Sequence, residues 1–118
     1  MILADSSVWI DFWRQGDPAF QVSLLNNQIL LHPFVFGELF LGQVKDRERV
    51  FREMAHLPGA PLADESEVLE LVERFSLVGS GIGWVDAHLL ASALLAKGDL
   101  MTKDLALKRA WLKVRHRR

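Results

Sequence analysis

Four acidic side chains, Asp5, Glu38, Asp86 and Asp104, stand among apolar residues where a carboxylate has no ordinary reason to be. Asp5 ends the run Met1-Ile2-Leu3-Ala4. Glu38 divides Pro33-Phe34-Val35-Phe36-Gly37 from Leu39-Phe40-Leu41-Gly42. Asp86 lies between Ile82-Gly83-Trp84-Val85 and Ala87-His88-Leu89-Leu90, and Asp104 follows Leu100-Met101-Thr102. Most of the chain's 15 acids instead fall in solvated runs such as Asp64-Glu65-Ser66-Glu67. A carboxylate taken out of water is costly unless something compensates. If these four converge, a hard divalent cation is the simplest compensation, because an all-oxygen donor set suits magnesium or manganese. Each acid also has a purely structural reading. Asp5, Asp86 and Asp104 can cap helices, and Glu38 can face solvent on an edge helix. Its neighbours three and four positions away, Phe34, Val35, Leu41 and Gly42, argue against a wet face for Glu38.

The elements that must hold these acids follow from local pattern. Ile2 to Ala4 reads as a short buried strand, after which Ser6-Ser7 offers a cap for a helix over Val8 to Trp13. Pro18 opens a second helix to about Asn26. Ile29 to Leu31 is a second strand, Pro33 begins a helix to about Gly42, and Asp46 to His56 is another amphipathic helix. Residues 57–62 form a turn with at most a short strand. Glu65 to Leu77 is amphipathic, with Val68, Leu69, Leu71, Val72 and Phe75 on its apolar side. After a glycine-rich loop, Trp84 to Lys97 is a buried helix capped by Gly98. Leu100 to Thr102 is a strand, and Leu105 to about Leu112 a helix. Any last strand must lie within Leu112 to His116. Short apolar strands alternating with helices predict one α/β domain over residues 1–118, its parallel sheet covered on both faces. Ligands of such sheets bind at the carboxyl ends of the strands, where Asp5 and Asp104 would stand, with Glu38 and Asp86 one turn into helices.

Charge is distributed unevenly. Residues 1–102 carry a net charge of −7 and residues 103–118 a net charge of +6. The basic residues Lys103, Lys108, Arg109, Lys113, Arg115, Arg117 and Arg118 beside an acidic body suit a phosphate-bearing partner, or simply a solvated helix face. The chain has no cysteine, which removes disulfides, thiolate zinc sites and thiol catalysis and fits a reducing, cytoplasmic setting. The start has no basic segment before Asp5, so no signal peptide is expected. The uncharged run Ala87 to Ala96 is too short to span a membrane.

The opening Asp5-Ser6-Ser7-Val8-Trp9-Ile10-Asp11-Phe12 resembles that of PIN-domain ribonucleases, specifically VapC-like toxins of bacterial toxin–antitoxin pairs. Residues 81–104, GIGWVDAHLLASALLAKGDLMTKD, are similar to that family's second half, and the middle matches through the apolar helix that holds Glu38. The resemblance implies a PIN-like three-layer α/β/α sandwich with a central parallel sheet of four or five strands. It also implies a magnesium- or manganese-dependent endoribonuclease, usually homodimeric, held inactive by a cognate antitoxin with a DNA-binding domain. Asp5, Glu38, Asp86 and Asp104 map onto the family's acidic set, with Thr102, Ser6 and Ser7 at its polar supporting positions. On that mapping Asp5, Asp86 and Asp104 are the metal ligands, Asp86 directly or through water. Glu38 orients or deprotonates the attacking water, and Thr102 fixes a carboxylate. Lys103, Lys108, Arg109 and Lys113 are the candidate contacts to the RNA backbone. The short end, Trp111 to Arg118, leaves little room for a full final strand and helix.

Other residues receive milder readings. Asp11 is expected to pair with Arg14, and His88 to sit in the core or at an interface. Trp9 and Trp13 pack rather than stack on RNA, and Phe34, Phe36 and Phe40 are core or line a groove for an antitoxin helix. A phospho-receiver domain needs an acidic pair after the first strand, and a haloacid-type phosphatase an aspartate two residues past Asp5. Ser6 and Ser7 stand there instead. A catalytically silent PIN-like interaction module remains the alternative.

Overall fold

The computed structural model describes residues 1–117 and is built around a parallel sheet of three strands, β1 (Ile2–Ala4), β2 (Ile29–Leu30) and β3 (Asp99–Met101), in the order β2-β1-β3. Seven α-helices connect and cover the described strands: α1 (Ser6–Gln15), α2 (Pro18–Leu25), α3 (Pro33–Leu41), α4 (Arg47–Met54), α5 (Glu65–Arg74), α6 (Trp84–Leu95) and α7 (Leu105–Val114). A single 3₁₀ turn, Arg115–Arg117, follows α7. Arg118 of the expected basic tail lies outside the described residues.

β1 is central because its residues are apolar on both faces of the pleat. Leu3, Ala4, Ile29, Leu30 and Leu100 are all buried, as a parallel sheet with helical crossovers requires. α6 is buried over Ala87 to Ala93 and packs against β1, β3, α5 and α7, while α1 packs against β1 and α3. The register aligns Leu3 with Leu100 and Ala4 with Met101. The next pair in that register is Asp5 and Thr102, and the Asp5 N–H donates to the Met101 carbonyl at 3.1 Å. Thus two residues 97 positions apart meet at the carboxyl edge of the sheet.

Several expectations are corrected. The sheet has three described strands rather than four or five. Residues 57–62 contribute only a parallel bridge between Leu31 and Gly59. Leu112 to His116 is not a strand: Leu107, Ala110, Trp111 and Val114 are buried at helical spacing and carry α7 through to Val114. The cap of α1 is Asp5, not Ser6 or Ser7, since its carboxylate accepts from the Val8 N–H at 3.2 Å. α5 stops at Arg74, and Leu69 is 57% exposed rather than on its buried side. α6 ends at Leu95 with Ala96 as its cap, and Lys97, not Gly98, takes the left-handed conformation. Gly98 serves another purpose. A Cβ there would stand 2.5 Å from the Met1 carbonyl oxygen, which accepts from the Asp99 N–H to start the β1–β3 ladder. Among the described residues no helix is long and apolar enough to cross a membrane.

Candidate active site

Asp5 is the most tightly held of the four acids. It is 6% exposed, and its Oδ1 accepts from the Ser7 hydroxyl at 2.5 Å and the Val8 N–H at 3.2 Å. Its Oδ2 accepts from the buried Thr102 hydroxyl. A carboxylate offers about four lone-pair directions, so protein donors occupy all but one of them, and the opening is on Oδ2. The donors are themselves fixed. Ser7 Oγ accepts from the Lys103 N–H at 2.9 Å, and Thr102 Oγ1 accepts from the Asp104 N–H at 3.0 Å. The β3–α7 turn therefore buttresses Asp5 from two sides.

The same cap motif occurs elsewhere without this burial. Asp64 caps α5 and accepts from the Ser66 hydroxyl at 2.7 Å, an Asp-x-Ser arrangement like Asp5-Ser6-Ser7. Those hydrogen bonds hold the Asp64 carboxyl below the usual carboxylate range. What separates Asp5 from Asp64 is burial and the partner from a distant strand, not the cap.

The other three acids combine structural and electrostatic roles. Asp104 caps α7, accepting from the Leu107 N–H at 2.9 Å through Oδ1, and is otherwise exposed. Asp86 reaches back from the first turn of α6 to the Gly83 N–H at 3.3 Å through Oδ2. Burial pushes its carboxyl above the usual range, the Gly83 bond opposes this, and the charges of Asp104 and Asp5 add to the rise. Glu38 is exposed as a residue, contrary to the sequence expectation, because only the Val35 and Leu39 side of α3 is covered. Its carboxyl is nevertheless raised, first by partial burial against the crevice, then by Asp86 and Asp5, with a Ser6 hydroxyl bond working the other way. The charge of Asp5 thus bears on both Glu38 and Asp86, and that of Asp104 on Asp86. The helix caps are real as well, so the structural and electrostatic readings hold together.

The oxygen donor set fits a hard divalent cation: Asp86 Oδ1, Asp104 Oδ2 and the open direction on Asp5 Oδ2 are not consumed by the caps. Among the described residues, no group of three or more acidic or histidine side chains is already gathered closely enough to hold a metal ion. Burial first, and then neighbouring carboxylates, raise Glu38 and Asp86, against the hydrogen bonds from Ser6 and Gly83.

The basic residues do not form one patch. Lys103 lies beside the acids and pairs with Asp11 at 3.6 Å, displacing the expected Asp11–Arg14 pair. Asp11 also accepts from Gln15 at 2.5 Å. Lys108 and Arg109 are exposed on the half of α7 nearer the acids. Lys113 reaches the Ser76 carbonyl at 3.4 Å, and Arg115 pairs with Asp99 at 4.0 Å, at the opposite edge of the sheet. The two-way role of Ser7 is the feature sequence reading underweighted. A hydroxyl two residues past a capping aspartate was the available signal.

The family model described as "PIN domain" matches residues 2–111. "Ribonuclease VapC32" from two strains of Mycobacterium tuberculosis is 43% identical over 111 residues, covering 93% of this chain and 90% of the relative. The chain therefore belongs to the PIN-domain family and is homologous to a VapC-type member of it.

Proposed function

We propose that residues 1–118 act as one PIN-like domain, a VapC-type toxin that cleaves RNA internally with the help of magnesium or manganese. The observation that carries the reading is a buried Asp5 buttressed by Ser7 and Thr102, whose charge bears on Glu38 and Asp86, in a chain 43% identical to a named ribonuclease. Asp5, Asp86 and Asp104 would hold the ion, which supplies an activated water and charge neutralisation at the phosphate.

The chain's own groups have separate tasks. Ser7 and Thr102 fix the direction of the Asp5 carboxyl group, as supporting donors do for ligating carboxylates. Ser6 steadies Glu38. Glu38, whose carboxyl is raised above the usual carboxylate range and is thereby a stronger base, takes the proton from the attacking water. Lys103, beside Asp104, holds the RNA backbone together with Lys108 and Arg109, while Lys113, turned toward the Ser76 carbonyl, is left as a more remote contact. An antitoxin with its own DNA-binding domain restrains the enzyme, and the chain works as a homodimer in the cytoplasm.

The silent-module alternative draws on one observation, the absence of a ready-made three-donor group among the described residues. One experiment separates the two. Wild type and Asp5→Asn are expressed without an antitoxin, and RNA integrity and growth are followed. Cleaved RNA and growth arrest with wild type alone support the enzyme. Equal effects from both chains would reject catalysis as their cause.

A further inference from the structure

Lys103 stands between Thr102, which donates to Asp5, and Asp104, which caps α7. Its N–H donates to Ser7 Oγ at 2.9 Å, and that hydroxyl donates to Asp5 at 2.5 Å. The backbone of a lysine is therefore two hydrogen bonds from the buried carboxylate. It also meets the N-terminal turns of both α1 and α7, where helix dipoles favour anions over cations. Fold stability gives no reason for a positive charge at this turn.

The direction taken by the ammonium matters more than its presence. A lysine head is a compact charge on a flexible four-carbon stem. Asp104 is its neighbour in the chain, and Asp5 lies just across Ser7. An ammonium seated on either acid would be attracted strongly and would take up oxygen directions that suit a divalent cation. The side chain goes elsewhere: Nζ lies 3.6 Å from Asp11 Oδ2. Among the described residues, neither Lys103 nor any other lysine or arginine pairs with Asp5, Glu38, Asp86 or Asp104. The charges that bear on Glu38 and Asp86 are those of other carboxylates.

Asp11 is well placed to hold that cation. It follows Ser7 by four positions on α1, so the acceptor of the Lys103 N–H and the partner of its ammonium share one side of the helix. Gln15, one turn further on, donates to Asp11 Oδ1 at 2.5 Å and leaves Oδ2 to the ammonium.

We propose that Asp11 is a positioning residue that holds the Lys103 ammonium outside the acid crevice, leaving the acids open to a divalent cation and the ammonium open to an RNA phosphate. The inference rests on the metal-dependent ribonuclease reading above. An exposed ion pair is weak, so a phosphate can take the ammonium from Asp11 when RNA arrives. Without the Asp11 charge, the nearest anionic partners of Lys103 are the acids themselves, and the lysine competes with the metal ion.

The test is manganese binding by calorimetry at low salt, without RNA, on wild type, Asp11→Asn, Asp11→Glu, Lys103→Met and the Asp11→Asn/Lys103→Met double variant. Asp11→Asn keeps an acceptor for Gln15 and removes only the charge. It should weaken manganese binding ~5-fold, and Asp11→Glu should recover most of that loss. In the Lys103→Met background the same asparagine should change little, which separates the effect of the freed lysine from the loss of one negative charge near the site. Melting in chelator supplies a readout that a merely structural ion pair would move the other way. Asp11→Asn should melt no lower than wild type, because the freed ammonium relieves the repulsion among the carboxylates. Unchanged manganese affinity in Asp11→Asn, an equal loss with and without Lys103, or a lower Tm in chelator at full affinity would each overturn the proposal and leave the ribonuclease reading intact. A wild-type protein that binds no manganese removes the metal-dependent reading and the role of Asp11 with it.

Discussion

Thr102→Val replaces a hydroxyl with a methyl of nearly the same size and so isolates one hydrogen bond. Thr102 is 5% exposed and donates to Asp5, which is 6% exposed, so solvent cannot take over the bond. A hydrogen bond to a charged group contributes ~1.5–3 kcal/mol. The lost acceptor for the Asp104 N–H adds little, because Asp104 is exposed and water can replace it. The variant should therefore lose about 2–3 kcal/mol, a fall in Tm of roughly 8–12 °C for a domain of this size. Thr102→Ser keeps the hydroxyl and loses one buried methyl, about 0.8 kcal/mol. Chemical denaturation followed by tryptophan emission measures both, and a cycle with Asp5→Asn should give a coupling of about 1 kcal/mol or more. RNA cleavage should fall about 10–100-fold in Thr102→Val and stay near wild type in Thr102→Ser. If valine is tolerated as well as serine and the coupling is nil, the buttressing role assigned to Thr102 is wrong.

Acid should destabilise the fold through His32. Burial, helped by His88, lowers its folded pKa from 6.5 to about 4, and its Nδ1 must stay unprotonated to accept the Phe34 N–H at 3.0 Å. The unfolded chain takes up the proton first, so this contribution is complete above about pH 6.5 and lost as pH falls to about 4, some ~3 kcal/mol in all. His32→Asn, which can still cap α3, should flatten that part of the pH–stability curve; an unchanged curve would point to other groups. Glu38→Gln should leave Tm in chelator equal or higher, because it removes a carboxylate pressed by Asp86 and Asp5, while cleavage drops about 10²–10⁴-fold. Lower Tm with full cleavage would contradict both roles. Gly98→Ala should cost about 1–3 kcal/mol by thermal melting, since its Cβ would stand 2.5 Å from the backbone oxygen of Met1, which is tied to the Asp99 N–H. A neutral result would mean that the β1–β3 junction gives way easily.

Much of the fold was legible where burial and chain punctuation agree. Ile2 to Ala4 and Pro18 to Leu25 follow directly from an apolar triplet and a proline behind a capping Asp17. β3 starts one residue early, at Asp99, because its N–H pairs with Met1 before the apolar run begins, and backbone pairing leaves no trace in side-chain type. The segment Trp111-Leu112-Lys113-Val114-Arg115 also supports more than one periodicity. Tertiary contact decided for helix, since the 107, 110, 111 and 114 face was the one buried. Glu38 misled for a related reason: apolar neighbours on an edge helix such as α3 can be exposed, as Phe40 at 49% and Leu41 at 89% are. The acids themselves were readable one by one. Their coupling depends on the β1–β3 register that sets Asp5 opposite Thr102, which no local pattern encodes.

The central claim is that Asp5, Asp86 and Asp104 share one divalent ion. Calorimetric titration with manganese, on wild type and on Asp5→Asn, Asp86→Asn and Asp104→Asn, addresses it most directly. Wild type should bind, with Tm raised by the added ligand, and each substitution should weaken binding by about 10-fold or more. Binding that is absent from wild type, or unchanged in all three variants, would contradict the account.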